Sequence, residues 1–273
     1  MNKLQWLIRV TRPAGFMAVG LATWTAAIVS NGPNIFSTNK VAATVSMALL
    51  CLAASVFHFG AANKMYARKV WDIIPIKNPW VLITSGLSLF AASLLVAWNF
   101  LPHTCALVIA SNIVVLILYS RTLSARWWTK NWCMAYICST PMLLGWLAGS
   151  HPSPLLPPVI GCAFCLYWSK EIIKDVHDIR ANCGIRVTLP IRFGIRGALR
   201  VGAILATLGT VCSCTIVLYL PLNFPACVAI LLAIGLFGFT SWKLFFSTDP
   251  GKTNKMITVG SYCLIASILF SRL

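Results

Sequence analysis

Lys170-Glu171-Ile172-Ile173-Lys174-Asp175-Val176-His177-Asp178 runs on through Ile179-Arg180-Ala181-Asn182-Cys183-Gly184-Ile185-Arg186-Val187-Thr188-Leu189-Pro190-Ile191-Arg192-Phe193-Gly194. Three of the chain's five acidic residues fall in the first nine of these positions. On a helix, Asp175 and Asp178 are three residues apart and Glu171 and Asp175 four, so each pair shares a face. Carboxylates crowded on one face beside apolar sequence are expensive unless something compensates them. A hard cation does so, because Mg²⁺ takes one or two carboxylates together with the oxygens of a bound phosphate. A solvated helix end, its acids paired with Lys170, Lys174 and Arg180, accounts for the same spacing.

Outside this stretch the sequence is apolar. Of 273 residues 59% are hydrophobic and 10% charged, and the mean hydropathy is +0.82. Soluble domains carry about 25% charged residues, so this chain has too little charge to coat a water-facing surface. The apolar runs read as nine membrane spans, at 14–30, 41–62, 80–98, 103–119, 132–150, 154–172, 199–219, 224–242 and 256–271. Each is long enough to cross a hydrocarbon core of about 30 Å. The expected fold is therefore all-α: nine transmembrane helices forming one membrane-embedded domain over residues 1–273.

The basic residues fix the order of these spans. The chain has 22 Lys and Arg against 5 Asp and Glu, a formal charge of +17. Numbering the connections alternately by side puts all but Lys40 and Arg272 on one side. That asymmetry is the positive-inside pattern, with the N-terminus and the basic loops on the cytoplasmic or equivalent side. It also counts 14–30 as a retained helix, although Lys3, Arg9 and Arg12 before an apolar run resemble a secretory leader. The charge is read as a topology signal, or as contact with lipid headgroups or an anionic substrate, and nucleic acid is excluded as a partner. The long connections 63–79 and 173–198 both lie on the basic side, as do all five acids. The 11 cysteines are scattered through the spans and read as small apolar packing residues. No Walker loop, nucleophile elbow, zinc signature or dinucleotide fingerprint occurs.

The stretch from Lys170 to Gly194 resembles the second aspartate motif of the UbiA-type intramembrane prenyltransferases. The likeness rests on Asp175, Asp178, Gly184, Thr188, Leu189, Pro190 and Gly194. It is nearest to the branch acting on isoprenoid glycerol ethers. Tyr119-Ser120 followed by Asn131 and by Pro141 through Gly145, and Arg12-Pro13 near the start, also resemble that family. The resemblance implies nine helices around a central cavity and transfer of an isoprenyl group from a prenyl diphosphate to a lipophilic acceptor. It implies Mg²⁺ at Asp175 and Asp178, which would also be the catalytic pair. Asn63, Tyr119, Ser120, Arg121 and Lys174 are the expected substrate-binding positions, and membrane lipids are the expected surroundings.

The first aspartate motif departs from the family's pattern. Asn63 is kept, but Lys64, Ala67 and Trp71 stand where acids are expected, and Asp72 is one residue out of register. Asn182 and Ser124 replace a further acid and a lysine. Lys64, Arg68 and Lys69 could bind diphosphate oxygens directly, with one Mg²⁺ kept at Asp175 and Asp178. Alternatively the chain is a catalytically silent structural or lipid-binding subunit of a membrane assembly, or a terpene cyclase of the same type. Protein partners are not legible. Of the remaining residues, His177 points away from the aspartates' face and His58 reads as a hydrogen-bonded packing residue. Arg121 and Arg126 with Trp127, Trp128 and Trp132 read as an interfacial anchor or a phosphate contact. Pro141, Pro157 and Pro158 are expected to kink spans five and six.

Overall fold

A computed structural model describes residues 11, 13–31, 37–66, 78–149, 153–184, 187–221, 223–247 and 249–271. These are helical: α1 (Pro13–Asn31), α2 (Thr38–Tyr66), α3 (Pro79–Phe100), α4 (His103–Arg121), α5 (Trp127–Leu147) and α6 (Leu156–His177). The four-residue α7 (Ile179–Asn182) then leads to α8 (Leu189–Val217), α9 (Phe224–Phe246) and α10 (Thr253–Phe270). Every helix but α7 has 18 residues or more, and each expected span overlaps one of them. Six stretches among the described residues are long and apolar enough to cross a membrane: Thr38–Ala61, Pro79–Phe100, His103–Ser120, Leu189–Val217, Phe224–Phe246 and Thr253–Phe270. A shorter apolar stretch, Gly15–Ser30, lies on α1. Helices α5 and α6 carry Lys130, Lys170, Glu171, Lys174 and Asp175, which lowers their apolarity.

The helices turn large apolar side chains outward. Leu95, Leu107 and Leu231 are each more than 60% exposed, and Trp242 nearly so. Side chains of this kind on the outside of a helical protein face lipid.

The chain divides into two compact units, one of residues 1–122 with 144–152, the other of 123–143 with 153–273. In the first, α2 packs on α1 and α3, and α4 on α2 and α3. A methyl group at Gly60 would strike Leu82 and Ile83 of α3, and one at Gly86 would strike Phe57 of α2. Two glycines thus let α2 and α3 approach closely, as small residues do between membrane helices. Ser46 and Ser93 reinforce the contact, each donating its hydroxyl to the other's carbonyl at 2.8 and 2.7 Å. Gly145 and Gly149 seat the end of α5 against Thr23, Ala26 and Ser30 of α1 in the same way.

In the second unit, α6 packs on α8, α8 on α9, α9 on α10, and α10 back on α6. Polar bonds tie this ring where hydrocarbon offers no alternative partner. Ser169 of α6 donates to the Gly202 carbonyl at 2.8 Å, and Lys170 Nζ donates to Thr258 Oγ1 of α10 at 2.9 Å. Asn223 accepts from the Ala226 amide at 3.0 Å and donates to the Phe270 carbonyl at 2.6 Å, capping α9 and tying it to the end of α10.

The prolines divide in their roles. Pro157 and Pro158 open α6 rather than kink it, sitting in the first turn where a missing N–H costs nothing. Pro141 does lie inside α5 and cannot donate to the Ile137 carbonyl. Thr140 supplies that bond, its Oγ1 donating to Ile137 O at 2.8 Å. Helix α8 starts ten residues before the expected span because Thr188-Leu189-Pro190 opens it, and its direction breaks at Gly194, with φ 75° and ψ 164°. Only glycine occupies that region freely.

Replacing Gly194 with Ala should therefore cost about 1–3 kcal/mol in thermal unfolding in detergent. Gly235 of α9, whose added Cβ would meet nothing within 4 Å, should tolerate Ala and gain up to about 1 kcal/mol. Thr140→Val should lose about 1 kcal/mol by orphaning the Ile137 carbonyl.

Candidate active site

The second aspartate motif sits where α6 ends. The helix continues through His177, and Asp178 closes it, its backbone N–H donating to the Lys174 carbonyl at 2.9 Å. The one-turn α7 follows, then Gly184, whose φ of 77° turns the chain toward α8. Thr188 caps α8 by backbone alone, since its hydroxyl makes no capping bond.

Asp175 is fully buried. Its Oδ1 is held by the ammonium of Lys130, itself almost entirely buried, in an ion pair between α5 and α6. Its Oδ2 is buried with no hydrogen-bond partner. An isolated carboxylate or ammonium this deep would cost several kcal/mol, so each charge makes the other tolerable. Lys130 is set in place by a 3₁₀ turn, Leu123–Ala125, and by Thr129, whose Oγ1 donates to the Leu123 carbonyl at 2.8 Å.

The other acids of the motif behave differently. Glu171 pairs with Lys174 at 3.7 Å, with the lysine side chain half exposed, and a pair in that setting contributes under about 1 kcal/mol. Asp178 is half-buried. Lys170 is engaged by Thr258 and by the Tyr167 ring, 5.5 Å away. The solvated-helix-end account, in which Lys170, Lys174 and Arg180 satisfy the acids, therefore holds for Glu171 and not for Asp175. His177 is exposed, in line with its turn away from the aspartates.

Further buried polar atoms occur on the same unit. Asn131, next to Lys130, has both amide atoms without a partner, and so does the Thr188 hydroxyl. Asn131 is 1% exposed and Thr188 is fully buried. Native interiors leave few such atoms unpaired, and a polar ligand could satisfy them.

Tyr119 and Ser120 lie in the first unit, where the structure brings them to His58. His58 Nδ1 is 3.1 Å from Ser120 Oγ, and its ring centroid is 5.7 Å from that of Tyr119. His58 is thus the hydrogen-bonded packing residue expected. The basic aromatic run divides: Trp127 meets Phe193 edge-on at 5.1 Å with Arg192 over its ring at 5.3 Å. Trp132 stacks on Tyr136 at 5.7 Å, and Trp128 and Trp132 are exposed as interfacial anchors would be. Arg68, Lys69 and Asp72 lie outside the described residues, as do the side chains of Asn63, Lys64 and Arg121. Cys162 is fully buried and bonded to Ser213 Oγ at 3.1 Å, a packing role.

Among the described residues no group of three or more His, Cys, Asp or Glu side chains could hold a metal. In donor chemistry alone, the unpartnered Asp175 Oδ2 and the Asp178 carboxylate are hard oxygen ligands of the kind Mg²⁺ takes together with phosphate oxygens. Sequence reading missed Lys130, which it counted only as a topology charge. The one signal available was a lysine inside the tryptophan-rich run Trp127–Trp132, where a merely solvated charge is out of place.

Comparison with known proteins bears on what this site belongs to. The digeranylgeranylglyceryl phosphate synthase of Methanopyrus kandleri is 31% identical over 177 residues, covering 62% of this chain and 63% of that one. A solved structure concerning digeranylgeranylglyceryl phosphate synthase in membranes superimposes over the whole chain and 99% of its own, with a TM-score of 0.82 and 16% identity. A UbiA homolog from Archaeoglobus fulgidus bound to DMAPP and Mg²⁺ matches 97% of this chain and 98% of its own, with a TM-score of 0.68 and 17% identity. The UbiA prenyltransferase family model matches residues 76–266, well over half the chain. These residues span the buried aspartate, the turn at Gly184 and the opening of α8, and the chain belongs to the UbiA prenyltransferase family, as an integral membrane protein.

Proposed function

We propose that this chain transfers an isoprenyl group from a prenyl diphosphate to a lipophilic acceptor bearing a glycerol hydroxyl, working as one membrane-embedded domain. The observation that carries the reading is Asp175, buried at the second aspartate motif with one oxygen on a lysine and the other unpartnered. Family membership supports the reaction type, and the named relatives support the acceptor class. The basic loops would face the cytoplasmic or equivalent side, as the charge split argues.

The reaction breaks the bond between C1 of the prenyl chain and its diphosphate oxygen, and forms a bond from C1 to the acceptor oxygen. The acceptor's hydroxyl proton leaves with the diphosphate or to solvent. Asp175 Oδ2 and Asp178 would hold Mg²⁺, which supplies neutralisation of the diphosphate's growing charge. Lys64, Arg68 and Lys69 of the first-motif segment and Arg121 at the end of α4 would donate to diphosphate oxygens in charge-assisted bonds, and the Asn63 amide would add a neutral donor. Lys174, half exposed on the last turn of α6, can leave Glu171 for a phosphate at small cost. Tyr119 and Ser120, ordered by His58, would line the substrate's path. Apolar helices would keep water from the allylic cation.

The replaced acids at 64, 67 and 71 favour a second reading, a catalytically silent lipid-binding subunit. Incubating the purified chain with prenyl diphosphates of several lengths and a glycerol-ether acceptor, with and without Mg²⁺, decides between them. The enzyme reading expects pyrophosphate release that falls at least about 100-fold in Asp175→Asn. Release at background level for every length would establish the silent reading instead. Arg68→Ala should weaken prenyl diphosphate binding by about 10- to 150-fold, the value of one charge-assisted contact. An unchanged affinity would remove Arg68 from the site.

A further inference from the structure

Lys130 belongs to none of the segments that carry the aspartate motif, yet it holds the best-buried carboxylate in them. We propose that its ammonium is a built-in cation of the diphosphate site. By occupying Asp175 Oδ1 it lowers the affinity for a free divalent ion, so that metal enters with the diphosphate rather than before it. This rests on the proposed function and adds to it an order of binding and a residue that sets it.

The charges support this. Glu171, Asp175 and Asp178 are three carboxylates, and Lys130, Lys170 and Lys174 are three ammonium groups on the same unit. Two of these lysines are in ion pairs with the acids, Lys130 on Asp175 and Lys174 on Glu171. With Arg180, Arg186 and Arg192 on the same stretch, the segment is net positive before any ligand arrives, a poor host for a bare divalent ion. A prenyl diphosphate brings the missing negative charge and the oxygens that Mg²⁺ prefers. The pair leaves Asp175 Oδ2 open, so the ammonium and a metal can share the carboxylate once diphosphate is present. A lysine suits this sharing because its ammonium is a point charge on one oxygen. A guanidinium would fork across both.

The test uses the full chain in detergent with Mn²⁺ alone as the probe, free Mn²⁺ being read by electron paramagnetic resonance. Lys130→Met is expected to bind Mn²⁺ at least about 10-fold more tightly than the wild type, since a unit positive charge a few ångströms away is removed. Adding Asp175→Asn to Lys130→Met should abolish the gain. Lys130→Arg is expected to bind Mn²⁺ no better than the wild type. If Lys130→Met folds only with MnCl₂ present, that rescue is the same result read as folded yield. An unchanged Mn²⁺ affinity in Lys130→Met overturns the inference, and so does a Lys130→Met chain that MnCl₂ does not rescue. Geranyl diphosphate binding by the wild type separates the two proposals. Its absence removes the proposed function, whereas its presence beside an unchanged Mn²⁺ affinity removes only the role of Lys130.

Discussion

A buried lysine on a buried aspartate organises the candidate site of this protein. The Lys130–Asp175 pair joins the first turn of α5 to the last turns of α6, with both side chains shielded from solvent. Neither charge is tolerable there alone. The surrounding sequence follows from that constraint: a 3₁₀ turn and the bond Thr129 Oγ1 donates to the Leu123 carbonyl present Lys130, and Asp178 ends α6 just beyond Asp175. Gly184 takes a backbone conformation that turns the chain toward α8, and Gly194 breaks the direction of that helix. What remains after the pair forms is one unpartnered carboxylate oxygen, with Asn131 and Thr188 on adjacent segments also unpartnered.

The scaffold around it is built by close approach rather than by hydrophobic contrast, as expected where the solvent is lipid. Gly60 and Gly86 bring α2 and α3 together, and Ser46 and Ser93 exchange hydroxyl-to-carbonyl bonds across the same interface. In the second unit Ser169 and Lys170 do the equivalent for α6 against α8 and α10. The outer faces are left to leucine, valine, phenylalanine and tryptophan.

Much of the fold was legible in the sequence because its signals are one-dimensional. Apolar runs of membrane-spanning length need no tertiary information, and each found a helix. Asp175 and Asp178 were legible because two carboxylates in a chain with only five demand compensation. The compensation itself was not. Lys130 lies 45 residues from Asp175, and its tryptophan-rich surroundings do not say which acid it meets. Pro157 and Pro158 look like kinks in a string of letters, but a proline in a first turn forbids nothing. Helix α8 begins earlier than its apolar run because Thr188-Leu189-Pro190 opens helix regardless of hydropathy.

The central claim is that Lys130 and Asp175 act as one unit, and a double-mutant cycle on folding stability in detergent measures it directly. Unfolding would be compared for the wild type, Lys130→Met, Asp175→Asn and the two together. The account expects each single change to be more damaging than the double, with a coupling above about 1 kcal/mol. Additive losses, with a coupling indistinguishable from zero, would contradict it.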